Sequence, residues 1–391
     1  MTETKLKNVT DVDEQDASIA ERSFLQRLYT GSGGIDIVGK RRTWYGITVA
    51  VLVIAIGAML IRGFSLGIDF EGGTRMTMPP ADVTVEQAEE VFTESTGVEP
   101  DLVQIIGAGD ARVLEITSER LGEGQINEAR VALFDAFEPL DANGEPSADA
   151  IGDSTVSESW GGAITERMLL AMAAFIALVF VYIAIRFERD MAIAAIATLI
   201  VDGVVIAGVY ALVGFEVTPA TVIGLLTVLS FSLYDTVVVF DKVMENTAGF
   251  RQSTRRTYAE QVNLSTNQVI MRSINTTVST LLPILALMII AVGILGVGTL
   301  KDLALVQLIG IIQGTLSSIF LASPLLVTLK SRQKAHRDHD AKVAAARAGE
   351  PAAEPELADE SPSAAKRTVV TPEVRPGGGD AQPQTWRPGN R

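Results

Sequence analysis

Residues 199–205 read Leu199-Ile200-Val201-Asp202-Gly203-Val204-Val205 and lie at the centre of an apolar run over 190–213. A run of that length crosses the hydrocarbon core of a bilayer, which takes about 20 residues at ~1.5 Å each. Comparable runs lie near 43–61, 165–186, 217–240, 274–297 and 302–329. The chain therefore reads as an α-helical polytopic membrane protein with six transmembrane helices, one standing alone and five following closely on one another.

The charge is distributed to match. The 391 residues carry 47 acidic against 32 basic side chains, a net of −15, yet 48% are hydrophobic and the mean hydropathy is +0.29. Residues 64–163 alone hold 21 acidic and 4 basic residues, a net of −17, which leaves the remainder at +2. The clusters Lys40-Arg41-Arg42, Arg186 with Arg189, the group Lys242, Arg251, Arg255, Arg256 and Arg272, and Lys330, Arg332 and Lys334 all fall on one side of a six-span chain. By the positive-inside rule that side, with both termini, is cytoplasmic, and 62–164 is an extracytoplasmic domain. The expected segments are 1–42 at the amino terminus, a cytoplasmic loop over 241–273, and a cytoplasmic, largely disordered tail over 330–391. Span one reads as an uncleaved signal anchor, since residues 1–42 are long and acidic for a signal-peptide n-region.

Several function classes are excluded. No basic stripe interleaved with aromatics is present, so no nucleic-acid partner is expected. The absence of cysteine removes disulfides and thiolate metal sites. The only histidines, His336 and His339, lie in a polar stretch, which argues against zinc hydrolysis and a Ser-His-Asp triad. No metal or cofactor is expected, and without a Walker A sequence the energy source is an ion gradient or a partner.

Within 62–164 the pattern alternates. Gly73–Met78 reads as a strand, Val85–Ser95 as an amphipathic helix capped by Thr84, and Leu102–Ile106 with Val113–Thr117 as a hairpin around Gly107–Asp110. A second helix over Gln125–Phe137 and a strand near Ser154–Ser159 complete a βαββαβ order, a small α+β ferredoxin-like unit. A short amphipathic piece over Ile19–Tyr29 suits the inner membrane surface, and the Ala-, Pro-, Glu- and Gly-rich chain beyond about 345, with its Gly377–Gly379 run, is expected to be disordered.

Ionisable groups inside spans cost at least ~2.5–3.5 kcal/mol each. Asp202 is roughly 18 Å from either end of its span, either as a carboxyl that only holds helices together or as a proton-bearing site. Asp235, in Phe231-Ser232-Leu233-Tyr234-Asp235-Thr236, is roughly 9 Å inside the cytoplasmic end of span four. It borders an edge made polar by Thr227, Ser230 and Tyr234. Whether such a carboxyl keeps its proton depends on a neighbouring cation. Arg272 is the candidate, opening span five ahead of Asn275, Thr276 and Ser279; its alternative role is snorkelling to the interface. Pro219, Pro283 and Pro324 are candidate kinks in spans four, five and six.

Two motifs carry a resemblance. Leu66-Gly67-Ile68-Asp69-Phe70-Glu71-Gly72-Gly73-Thr74, locally a Gly-rich turn from membrane into strand, resembles the signature that opens the external domain in the SecD/SecF family of protein-export membrane proteins. Phe231–Lys242 with Glu245-Asn246, and Arg272-Ser273-Ile274-Asn275-Thr276-Thr277, resemble the fourth- and fifth-span signatures on the SecF side. Six spans with one small external domain fit that side too, and the similarity covers roughly residues 20–330. The resemblance implies membership of the resistance-nodulation-division superfamily, pairing with a SecD-like subunit, association with the SecYEG channel and SecA motor, and use of proton motive force to promote export of unfolded preproteins. It assigns proton coupling to Asp235 and Arg272, matches Asp202 to an acid of the third span, and places Ser232, Thr236, Asn275 and Thr276 as supporting polar positions. Two other classes remain open: a non-transporting scaffold of the translocon, and a small-molecule efflux subunit of the same superfamily.

Overall fold

The computed structural model describes residues 35–79, 83–107, 112–141, 143–294 and 298–348. The amphipathic piece expected at Ile19–Tyr29, the turn over 108–111 and the chain from 349 onward lie outside the described residues. Among the described residues six helices have the length and hydropathy to cross a membrane.

The first, α1 (Arg41–Arg62), ends at Gly63. A short strand β1 (Ser65–Leu66) and a single helical turn α2 (Ile68–Glu71) lead into the α+β unit. There β2 (Gly73–Met78), α3 (Val85–Thr96), β3 (Leu102–Ile106), β4 (Val113–Ser118), α4 (Glu123–Phe137) and β5 (Gly152–Val156) follow the expected βαββαβ order. The sheet runs β3-β4-β2-β5, antiparallel throughout, with Arg75 opposite Thr117 on one side and Ser154 on the other. The alternation in β2 sends Met76 and Met78 into a core with Phe92, Leu114, Ile116 and Leu133, contributed by both helices and the central strands. Thr84 caps α3 through a reciprocal box with Gln87, and Gly97 ends it in the left-handed region.

The last strand stops at Val156, earlier than Ser159, because Ser157 turns its hydroxyl to the Trp160 amide and starts α5 (Glu158–Arg186). That helix begins before the apolar run at 165 and runs from the sheet into the membrane without a loop. It is followed by α6 (Arg189–Val213), the short strand β6 (Glu216–Val217), which pairs in parallel with β1, and α7 (Pro219–Thr247). Pro219 occupies the first turn of α7 behind the Thr218 cap, so it starts the helix and does not kink it.

Next come α8 (Tyr258–Ala286) and a wide-turn π segment over Leu287–Ile294. The final span is α9 (Gly298–Ser317), a second π segment over Ser318–Ala322, and α10 (Ser323–Lys330). The second π segment contains Phe320, whose carbonyl the Pro324 ring excludes from the regular ladder, whereas Pro283 lies inside α8, four residues ahead of the first. Helix α8 starts well before the run at 274, because Thr257 and Glu260 form a capping box ahead of a polar stretch. The tail begins with an ordered helix, α11 (Lys334–Arg347), whose packed face carries His336, His339 and Val343. The two histidines are therefore buried.

Glycines set the closest helix contacts. A Cβ on Gly208 of α6 would lie 2.2 Å from Ala55 Cβ of α1, and one on Gly314 of α9 would lie 2.8 Å from Ser232 Cβ of α7. Gly310 and Gly314, four residues apart, form the small-residue ridge that lets α9 close on α7.

Candidate functional site

Asp202 projects from α6 into the bundle and is fully buried. Its Oδ2 accepts hydrogen bonds from Ser232 of α7 and, at 2.8 Å, from Ser317 of α9, while Oδ1 accepts from Gln313 Nε2 at 3.1 Å. No lysine or arginine forms an ion pair with it among the described residues. Gln313 and Ser317 also line an apolar cavity of about 290 Å³ between α1, α6 and the last span, with Trp44 and Thr48 on its far wall.

Asp235 projects from α7, also buried, toward α8 and the second π segment. Ser273 donates to its Oδ1 at 2.7 Å and Ser318 donates to its Oδ2. The structure brings spans four and five together here, but it does not put Arg272 in an ion pair with Asp235. Arg272 Nη2 instead donates to the hydroxyl of Tyr234, the residue before Asp235, at 3.4 Å. The reason is helical: Tyr234 and Asp235 are about 100° apart on α7, so the tyrosine shares the outer face with Arg272 while the carboxylate points inward.

Buried Ser232 bonds Asp202, and Thr236 is buried beside Asp235. Thr276 returns its hydroxyl to the Arg272 carbonyl at 2.9 Å, and Asn275 is exposed. Thr227, Ser230, Tyr234, Arg272, Asn275 and Ser279 thus form an outward-facing polar strip across α7 and α8. Sequence reasoning missed Ser273, Gln313, Ser317 and Ser318, each of which bonds one of the two carboxylates. Residues 317–318 hold a Ser-Ser pair beside Pro324 in an apolar span, the one available signal. Among the described residues no group of three or more His, Asp or Glu side chains has the arrangement of a metal site.

The glycine motif lies elsewhere, at the junction of α1, the sheet and the 214–218 turn. Gly67 N–H bonds the Val217 carbonyl at 2.9 Å. Gly72 at φ +83° and Gly73 at φ +142° adopt backbone closed to other residues, and a Cβ on either would strike Glu158 N at 2.8 Å or the Ser118 carbonyl at 2.6 Å. Asp69 and Phe70 form α2, and the Phe70 carbonyl lies where a Cβ on Gly161 would fall, at 2.4 Å. The Thr74 hydroxyl, fully buried, accepts from Leu121 N–H at 3.0 Å. Beside this turn Arg75 faces Glu115 at 2.6 Å and Glu216 at 2.5 Å, and Lys301 of α9 donates to Gln104 of β3 at 2.7 Å. Burial pushes Glu216 above the ordinary carboxylate range; Arg75 opposes the shift, and Glu115, Asp302 and Asp69 add to it.

Comparison with known proteins gives a consistent picture. The family described as protein export membrane protein SecD/SecF, C-terminal, matches residues 137–332, and the SecD/SecF GG motif matches 57–80. The protein translocase subunit SecF of Mycobacterium tuberculosis is 55% identical over 327 residues, covering 84% of this chain and 74% of the relative. The SecF of Streptomyces coelicolor is 42% identical, covering 82% and 84%. Among solved structures, SecDF of Thermus thermophilus, a translocon-associated membrane protein, aligns with a TM-score of 0.65 at 30% identity over 76% of this chain. The chain spans 39% of that SecDF molecule.

Proposed function

The chain belongs to the SecF family of protein translocase subunits, and on that premise we propose that it couples the proton gradient to protein export through Asp235. It is a multi-pass membrane protein, an accessory subunit of the Sec translocase in protein export rather than a catalyst of covalent chemistry, and it works with a SecD-like partner. The finer reading is that Asp235 takes up and releases the driving proton, that Arg272 tunes that exchange from the outer face, and that Asp202 relays or stabilises it.

The observation that carries this reading is the Asp235 site: a buried carboxylate whose direct partners are neutral hydroxyls, with a guanidinium close by but not locked to it. A carboxylate in a fixed ion pair gives up its charge reluctantly, because removing one partner of a buried pair strands the other. Hydroxyls both donate and accept, so they stay bonded whether the carboxyl carries its proton or not. The exposed polar strip supports the partner. An arginine, a tyrosine hydroxyl and an asparagine facing lipid carry a cost that a second membrane subunit removes by covering them. The SecD-like subunit is that cover in our reading, with the SecYEG channel, the SecA motor and the unfolded preprotein completing the assembly.

The location follows from charge. In this reading both termini lie in the cytoplasm of a bacterium and residues 62–164 lie outside its cytoplasmic membrane, an orientation that the Lys and Arg clusters beside the spans support. The test is a pair of variants, Asp235→Asn and Arg272→Ala, in membranes holding the partner. Both are expected to insert and co-purify with it and to lower gradient-dependent export; unchanged export in both overturns the reading.

A further inference from the structure

We propose that Ser317 and Ser318 are positioning residues that couple the protonation of Asp202 to that of Asp235, an inference that rests on the proton-coupled reading above. Consecutive residues of a helix project about 100° apart. The turn at 317–318 therefore presents one hydroxyl to α6 and the other to the space between α7 and α8. Ser317 Oγ lies 2.8 Å from Asp202 Oδ2, and Ser318 Oγ meets Asp235 Oδ2. Both serines are buried.

Each serine also has a second acceptor. Ser317 Oγ is 3.1 Å from the Gly314 carbonyl and Ser318 Oγ is 3.0 Å from the Thr315 carbonyl. A hydroxyl carries a single proton, so its two acceptors are alternatives. Against an ionised carboxylate the serine donates to it. Against a protonated carboxyl it accepts that group's O–H and turns its own proton to the backbone. Each protonation state thus has a fully bonded rotamer, and a change at either aspartate rearranges hydrogen bonds on a turn that both share.

Two neighbouring features make that turn responsive. Ser318 opens the π segment over 318–322, where the regular backbone ladder has already given way. Gly314, whose carbonyl is the resting acceptor for Ser317, packs without a Cβ against Ser232. Ser232 itself donates to Asp202 from the helix that carries Asp235 three residues later. Serines that only capped their own helix would need the carbonyls alone; facing one carboxylate each is what coupling adds.

The test is a double-mutant cycle between residues bonded to different carboxylates, Asp202→Asn and Ser318→Ala, read as gradient-dependent export by vesicles holding the subunit, its SecD-like partner and the channel. Ser318→Ala is expected to lower the rate about tenfold in the native background and less than about twofold when Asp202 is already Asn. It is also expected to move the pH midpoint of gradient-driven export by about one unit, which loss of packing alone would not do. Independent, multiplicative losses overturn the proposal whatever the midpoint does. Asp235→Asn serves as the reference arm. If it abolishes gradient dependence while the cycle is multiplicative, only the coupling falls; if it leaves gradient dependence intact, the proton-coupled reading and the coupling fall together. Co-purification with the partner checks assembly, and Ser318→Cys, nearly isosteric but a weak donor, replaces the alanine variant in the cycle if that variant does not assemble.

Discussion

Arg272 donates to the hydroxyl of Tyr234 across 3.4 Å, leaving the carboxylate of Asp235, one residue further along α7, to Ser273 and Ser318. In our account the guanidinium acts on Asp235 through space, and Tyr234 aims it. Tyr234→Phe removes one long hydrogen bond, worth about 0.5–1.5 kcal/mol, and is expected to lower gradient-dependent export a few-fold. Arg272→Ala is expected to lower it much further, with Arg272→Lys between, because a lysine keeps the charge without the fork. Export rates of the three variants at equal membrane content check the order.

The contact between α7 and the last span depends on Gly314. Its missing Cβ faces Ser232 Cβ at 2.8 Å and Ser232 Cα at 3.2 Å, so an added methyl group meets backbone-proximal atoms that cannot swing away. Gly314→Ala is expected to cost about 1–3 kcal/mol, seen as a lower unfolding midpoint in detergent. Gly203→Ala, where the added atom meets nothing within 4 Å, is expected to leave that midpoint unchanged or raise it slightly.

Arg75 is the cation between Glu115 and Glu216 where the sheet meets the 214–218 turn. Arg75→Met leaves two buried carboxylates uncompensated, at a cost on the order of 3 kcal/mol, and is expected to speed proteolysis at this junction. The pH dependence has a definite sign. Glu216 lies above its ordinary value of 4.5 in the folded state, chiefly through burial. Its contribution is therefore complete below about pH 4.5 and is lost as pH rises through the folded-state value. Cleavage at the junction is expected to slow toward acid pH in the native protein, with that dependence flattened in Glu216→Gln.

Buried His336 makes the packing of α11 sensitive in the opposite sense. Burial, with the Lys330 and Arg251 charges beside it, holds His336 below its ordinary value of 6.5, against the pull of Asp340 and Asp190. Its ring packs on Phe250 and Tyr258 at 5.5 and 4.8 Å. The docking of α11 is thus complete above about pH 6.5 and weakens as pH falls through the lower folded-state value. Protection of the Lys334–Arg347 amides, taken relative to their intrinsic exchange rate at each pH, is expected to fall on going from about pH 7.5 to about pH 5.5, less so in His336→Phe, in which the aromatic packing remains without a titrating group.

What the sequence made legible follows from which signals are strong over short windows. The spans announce themselves by length, and Met76, Met78, Leu114 and Ile116 alternate cleanly enough to outline the sheet. Asp202, Asp235 and Arg272 stand out because charge in hydrocarbon is costly. Their hydroxyl partners do not, since a serine or threonine inside a span ordinarily bonds its own helix, as Thr198 does with the Ala194 carbonyl at 2.9 Å. Only tertiary packing selects Ser273, Ser317 and Ser318. The extension of α8 back to Tyr258 was hidden for a related reason. Asn263 and Asn267 interrupt the apolar pattern, yet the structure uses them to clip the backbone of residues 35–38, with Asn263 Oδ1 accepting from Ile37 N–H at 2.9 Å and Asn267 Oδ1 from Ile35 N–H at 3.0 Å. The buried face of α11 is carried by two histidines and one valine, too few apolar residues to separate it from a solvated tail.

The central claim is that Asp235 exchanges the proton that drives export. The most direct test is proton flux into sealed vesicles that hold this subunit, its SecD-like partner, the channel and a translocating preprotein, followed with an internal pH indicator. The account predicts flux that depends on the preprotein in the native assembly and falls to the level of vesicles lacking the subunit in Asp235→Asn. Native-level flux in a fully assembled Asp235→Asn complex would contradict it.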